Sequence, residues 1–426
     1  MQKLTVNPQK DGFLSEDGSS FFYFADTCWG AFTNISIGEW EEYLDFRRRQ
    51  CFDALQINIL PQWDRSRTEQ EFHPFSSGPD GKPDYFHPEE SYFKRTRQFL
   101  KAAVDRGFLP VLAVLWCNYV PGTWASRNHP ELTIPFEAVK PYAAFIAHQF
   151  AEFHPVYLIS GDTDFKTQET IRYYLAAMRT IKSVCPDSLT SFHLAGGLTD
   201  LPEEIEKSPD LDFYMYQSGH GRESQHLSYE MAEAFSRKSV KRPVVNGEPC
   251  YEGHGFGNEY GRFCAFDVRK AIWSSLLSGA KAGFAYGVHG IWDFHRKGAA
   301  FPSEAFSKMP FPWRTALQLP GAWDASFARR VFEDWGFADL EPADLLIGGF
   351  PGIRTAVSKS GDKIAVYLPY ALEVTLRSEW KGFRWTLVNL RERRFENPDV
   401  ILCRGKTVIQ MPDINGDALI FGRKLS

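Results

Sequence analysis

Residues 156–165 read VYLISGDTDF and residues 242–253 read RPVVNGEPCYEG, two apolar, β-branched runs that end on acidic residues, Asp162 in the first and Glu248 in the second. The chain around them repeats this grammar. Eight short apolar runs, at 21–30, 52–60, 109–120, 156–162, 189–197, 211–219, 243–249 and 280–290, alternate with longer amphipathic stretches. Strand, loop and helix in that order describe repeated βα units and a parallel sheet. Eight such units over roughly 275 residues match the size at which the sheet closes into a (β/α)8 TIM barrel. A doubly wound open sheet, the competing α/β architecture, usually carries a glycine-rich phosphate turn after its first strand, and DTCWGAF at 26–32 has none.

The helices between the runs carry end signals. Ser36 precedes Glu39 at capping-box spacing, Gly107 suits a left-handed C-terminal position, and Thr167 with Glu169 opens a helix that stops at Pro186. Further helices are expected at 136–153, at 263–279 and within 313–335. From about residue 340 short alternating strands take over, with hairpin turns at KSGDK (359–363) and INGD (414–417). The expected organisation is a barrel over residues 1–338 followed by an antiparallel β-sandwich over 339–426.

Composition narrows the function classes. A net charge of -5 and a pI near 6.2 argue against a grip on nucleic acid. No apolar stretch approaches the roughly 18 residues of a membrane span, and MQKLTVNPQKDGF lacks the apolar core of a secretory signal, so a cytoplasmic location is expected. Seven scattered cysteines without CxxC spacing suggest neither a disulfide framework nor a zinc site. The histidines lack HxxxH or HxH spacing and GxSxG is absent, so no metal, no cofactor and no serine nucleophile is expected. Trp, Tyr and Phe make up 15% of the chain, and such rings, where they lie on loops, can lie flat against sugars.

Carboxylates at the carboxyl ends of different barrel strands converge on one mouth, where the active sites of such barrels are built. The fourth and seventh strands stand nearly opposite, so Asp162 and Glu248 are the candidate catalytic pair, with Asp164 and Glu252 as fallbacks if the strand ends are misplaced. Two converging carboxyls, one protonated and one ionised, are what glycosidic-bond hydrolysis requires. Other strand ends carry groups suited to a polyol: Asp26 and Trp29, Asn58 with Trp63 and Asp64, Trp116 with Asn118, His193, then Tyr216, Gln217 and His220, Tyr251, and His289 with Trp292. The expected partner is an oligosaccharide or glycoside.

ADTCW (25–29), LQINIL (55–60), the Gly-Asp pair of ISGDTDF and VVNGEPCYEG together resemble the apiosidase-like glycoside hydrolases, glycoside hydrolase family 140, over essentially the whole chain. Members are often followed by a small β-domain labelled collagen-binding. The resemblance implies a clan A barrel acting with retention, an aspartate acid/base at Asp162, a glutamate nucleophile at Glu248, and release of apiose or a similar pentose from plant glycans or glycosides. The family usually has a second glycine where this chain has Ser160. Two other readings share these residues: the same mechanism on a β-glucoside, galactoside or arabinofuranoside, and a non-catalytic carbohydrate-binding barrel.

Overall fold

The computed structural model describes residues 3–68, 72–79, 81–412 and 415–425. Eight parallel strands form the central sheet: β1 (Tyr23–Thr27), β2 (Ala54–Asn58), β3 (Leu109–Trp116), β4 (Val156–Gly161), β5 (Thr190–Ser191), β6 (Tyr214–Gln217), β7 (Val244–Glu248) and β8 (Gly283–Tyr286). Their order is β5-β4-β3-β2-β1-β8-β7-β6. β5 and β6 form no continuous ladder but are joined by the Asp212 amide donating to the Thr190 carbonyl at 3.0 Å and by a parallel bridge between His193 and Met215, so the ring is nearly closed.

The helices pack outside as the sequence predicts. α1 (Ile37–Arg49) begins with a complete Ser36/Glu39 capping box. α2 (Glu90–Asp105) is followed by Gly107 at φ +80°, and after α3 (Phe136–Phe150) comes α4 (Gln168–Val184), capped by Thr167 accepting from the Thr170 amide at 3.1 Å. α5 (Leu227–Ser236), α6 (Ala265–Leu276) and α7 (Gly321–Asp334) complete the main outer layer.

Strand parity sorts side chains between the barrel axis and these helices. On β1 the Tyr23 hydroxyl donates inward to Gln56 at 2.8 Å, whereas Asp26 faces α1 and accepts from Tyr43 (2.6 Å) and Arg47 (2.5 Å). On β7 Asn246 likewise turns outward and donates to Ser275 of α6 at 2.9 Å. Glu248, two residues on, should share that face. A register shift prevents it: Tyr216 pairs with Asn246 but Gln217 pairs with Glu248, so the extra residue Gly247 bulges and re-aims the carboxylate at the mouth.

After residue 340 two antiparallel sheets follow. One contains β9 (Leu340–Pro342), β10 (Arg354–Ser358), β11 (Lys363–Leu368), β13 (Phe383–Asn389), β14 (Arg394–Glu396) and β17 (Ala418–Lys424). The other contains β12 (Val374–Arg377), β15 (Asp399–Cys403) and β16 (Lys406–Gln410). Ile414 of the INGD turn lies outside the described residues. The six-stranded sheet is apolar on both faces. Ile364, Val366, Leu368 and Ile420 join Val374, Leu376 and Ile409 of the smaller sheet in one cluster, while Ala365, Tyr367, Leu419 and Phe421 join the barrel's own core.

A buried charge cluster ties the same junction. Arg269 of α6 donates to Asp417 (2.8 Å) and to Asp324 of α7 (2.7 Å), and Asp324 also accepts from Arg393 at 2.7 Å. Removing one partner of such a buried pair leaves uncompensated charge. Arg269→Leu is expected to lower unfolding stability by about 3–5 kcal/mol, as measured by urea denaturation.

Candidate active site

The mouth at the carboxyl ends of the strands is built around Glu248, which is 6% exposed. Its Oε1 accepts from Gln217 Nε2 at 2.7 Å and lies 2.9 Å from His220 Nε2. Its Oε2 lies 3.2 Å from His193 Nε2, off the ideal hydrogen-bond axis. Backbone amides set both imidazoles: Asp162 N–H donates to His193 Nδ1 (3.1 Å) and Tyr251 N–H donates to His220 Nδ1 (3.2 Å). Each Nδ1 is therefore an acceptor, and each ring turns its Nε2–H toward the carboxylate. Burial pushes Glu248 up, but these N–H groups outweigh it and hold the carboxyl well below the usual range.

Asp162 is driven the other way. Burial raises its carboxyl well above the ordinary value, and the charges of Glu248, Asp64 and Asp164 raise it further. Its backbone sits in the left-handed region at φ +51°, a conformation that costs a non-glycine residue roughly 1–2 kcal/mol. This kink ends β4 and aims the amide at His193. Trp124 clamps the same residue by donating its indole N–H to the Asp162 carbonyl at 2.8 Å.

Aromatic rings form the floor and one wall. Trp116 lies against His193 and meets Trp29 edge-on, and Trp29 Nε1 donates to the Tyr251 hydroxyl at 2.9 Å. Gly161 makes room for this floor, since a Cβ there would stand 1.9 Å from the Trp116 ring. Ser160 turns away and donates to the His193 carbonyl at 2.9 Å, which secures β4 to the chain beyond β5. Half-buried Trp63 packs on Trp124 and His129. Asn58 and Asn118 are buried with no protein partner on either side-chain polar atom. Each follows an inward-facing residue, Gln56 or Trp116, by two positions.

The remaining sequence candidates lie elsewhere or have other partners. Asp26 is fully buried against Arg47, as described, and is not among the groups around Glu248. Tyr216 points to the helix layer, stacking on Phe235 and donating to the Ser228 carbonyl at 2.9 Å. His289 has both nitrogens engaged, with the Lys308 carbonyl (2.7 Å) and with Trp292 Nε1 (3.2 Å). Of the fallback acids, Asp164 accepts from the Trp124 amide at 3.0 Å, and Glu252 accepts from Tyr286 (2.6 Å) and the Gly321 amide (2.9 Å). Both fix loops. Sequence reasoning missed Trp124 and Asp293, which sit in long loops where strand position gives no signal.

The family described as "Apiosidase-like, catalytic domain" matches residues 8–339. Among solved structures, one named "Glycoside hydrolase" superposes with TM-score 0.81 at 18% identity, covering 99% of this chain and 97% of its own. A glycoside hydrolase family 5 protein from Bacteroides vulgatus ATCC 8482 gives the same score and identity over 99% and 93% of the two chains. A GH30 endoxylanase from Clostridium papyrosolvens C71 is similar at TM-score 0.51 and 9% identity, over 99% and 100% of the chains. At these identities the likeness is one of fold. No curated protein matches the chain in sequence.

The raised Asp162 carboxyl has a thermodynamic signature. Its folded-state affinity for a proton exceeds the unfolded one, so its contribution to stability is full below the unfolded value near 3.8 and is lost as pH rises through the folded value. Asp162→Asn removes that loss. The variant is expected to melt higher than the parent at pH 8, with the gap closing toward pH 4, as followed by calorimetry.

Proposed function

We propose a retaining exo-acting glycoside hydrolase, starting from the fact that the chain belongs to the apiosidase-like family. The observation that carries this reading is the opposite environment of two carboxyls at one barrel mouth: Glu248 is met by the N–H groups of Gln217, His220 and His193, which lower its carboxyl, whereas burial and the charge of Glu248 raise that of Asp162. Environments that push two titratable groups apart in this way assign the base and the acid. In the first step Asp162 gives its proton to the leaving oxygen while Glu248 attacks the anomeric carbon, forming a covalent glycosyl-enzyme. In the second step Asp162 takes a proton from water, which displaces the sugar from Glu248.

The substrate is a glycan or glycoside of plant origin, and the sugar released is apiose or a similar pentose. Trp29 and Trp116 form the floor beneath the sugar, Trp63 a wall, and Asn58, Asn118 and Gln217 hold its hydroxyls. His193, together with His220 set by the Tyr251 amide, orients and polarises Glu248. The catalytic unit is residues 1–338. The C-terminal unit, 339–426, is a β-sandwich acting as a structural cap on the barrel, and the family's collagen-binding label is not needed to explain it. The described residues contain no helix long and apolar enough to cross a membrane.

The test begins with a panel of aryl glycosides that includes the apioside, the β-glucoside, the galactoside and the arabinofuranoside. On the best substrate Glu248→Gln and Asp162→Asn are each expected to lower kcat by several orders of magnitude, and product NMR is expected to show retained anomeric configuration. The parent's kcat/KM should fall on the acid side as Glu248 takes up a proton and on the alkaline side as Asp162 loses one. In Asp162→Asn the alkaline limb is expected to disappear. Unchanged rates in both variants would leave a binding protein, and inverted product would leave a different division of labour between the two acids.

A further inference from the structure

A third carboxylate reaches the same mouth. Asp64 lies in the loop after β2, and its charge is felt by Glu248, by Asp162 and by the Cys117 thiol beside Asn118. It therefore sits among the ends of β3, β4 and β7, where the two acids of the proposed reaction meet. The loop that carries it is rigidly held. Tyr119 donates to the Pro61 carbonyl at 2.8 Å, Arg65 to the Gln62 carbonyl at 2.8 Å, and Ser66 to Asp293 at 2.6 Å, while Asn34 grips the Ser66 and Asp293 carbonyls at 3.0 and 2.7 Å. A loop pinned on both sides can present a side chain at fixed geometry.

Asp64 has no protein partner on its buried Oδ1. Asn58, 3% exposed, ends β2 with the parity that turns it toward the barrel mouth, and fully buried Asn118 lies in the short 3-10 turn directly after β3; the amide groups of both are also unpartnered. Buried polar groups are nearly always hydrogen-bonded, so donors and acceptors left open around one pocket describe a ligand with several hydroxyls. The charges facing Asp64 are otherwise acidic: Asp293 and Glu248 act on it, and Asp162 shares the pocket. Arg65 is the basic neighbour whose charge opposes these, and its guanidinium donates to the Gln62 carbonyl at 2.8 Å. A burial-raised carboxyl, here pushed up to about 7 with help from Asp293 and Glu248, can both donate to and accept from a diol near neutral pH.

We propose that Asp64 is a specificity-determining residue that, with Asn58 and Asn118, holds adjacent hydroxyls of an uncharged sugar and excludes uronates from the subsite next to Glu248. This deepens the hydrolase reading and rests on it. A carboxylate on the sugar would face the Glu248 carboxylate, and Asp64 whenever it is ionised, in a poorly solvated pocket, whereas a diol meets open partners.

The experiment uses the full chain, its Asp64→Ala and Asp64→Asn variants, the aryl glycoside hydrolysed fastest in the panel, its monodeoxy analogues, and the paired β-glucoside and β-glucuronide. Asp64→Ala is expected to reduce kcat/KM on the parent glycoside about 10- to 100-fold, with Asp64→Asn recovering part of it. For one deoxy analogue, parent and variant should be nearly equal, because the lost hydroxyl is the one Asp64 holds. The parent should also prefer the glucoside over the glucuronide. Equal losses on every deoxy analogue, or no preference against the uronide, would overturn the proposal. If the parent turns over nothing, the hydrolase reading fails by itself. Calorimetric binding of the same glycosides then tests Asp64: a loss of about tenfold or more in Asp64→Ala sustains its role, and no binding by the parent ends it.

Discussion

A carboxylate removed from bulk water must be met by donors, and in this molecule that requirement falls on Glu248. No lysine or arginine reaches it among the described residues. Gln217, His220 and His193 present N–H groups instead, and both imidazoles are set by a peptide amide behind them. One of those amides belongs to Asp162. The left-handed kink at Asp162 therefore does two things at once: it places one carboxyl at the mouth and fixes the ring that polarises the other. Strain at such a position persists only where its surroundings over-determine it, and the Trp124 indole, the Trp116 floor and the absent side chain of Gly161 supply that determination.

Much of this was legible in the chain. Eight apolar runs with helices between them named the barrel, and the ends of the fourth and seventh runs fall where strands β4 and β7 stop, next to Asp162 and at Glu248. Facing was harder to read. Asp26 and Tyr216 are each one position away from inward-pointing neighbours, and parity sends them to the helix layer, where Arg47, Tyr43 and Phe235 receive them. Glu248 has the wrong parity as well and is rescued by the Gly247 bulge, a local event whose only trace in the sequence is a glycine. Trp124 and Asp293 depend on how long loops fold back over the mouth, which periodicity does not encode. Their positions follow from tertiary contacts with Asp162 and Ser66.

The fallback acids illustrate the same division between local and distant information. Asp164 and Glu252 stand within four residues of the candidate pair and carry the same carboxyl groups, yet each is committed to a backbone amide of another loop or helix. Their hydrogen bonds hold the loops that carry Trp124 and α7. What separates the candidate from the structural acids is which groups meet it, side chains at the mouth for Glu248 and backbone amides of neighbouring segments for Asp164 and Glu252, and this becomes visible only when the partners are in place.

The six-stranded sheet after residue 340 has a consequence for how this protein can be divided. Because it is greasy on both sides, with Ala365 and Phe421 seated on the barrel and Ile364 and Ile420 beneath the smaller sheet, it is the middle slab of a stack and not an appendage on a tether. Cutting the gene at that boundary would strip apolar surface from two layers, take Asp417 from Arg269 and take Arg393 from Asp324. The barrel and the stacked sheets share buried apolar surface and buried charge, so neither keeps its core intact when the other is removed.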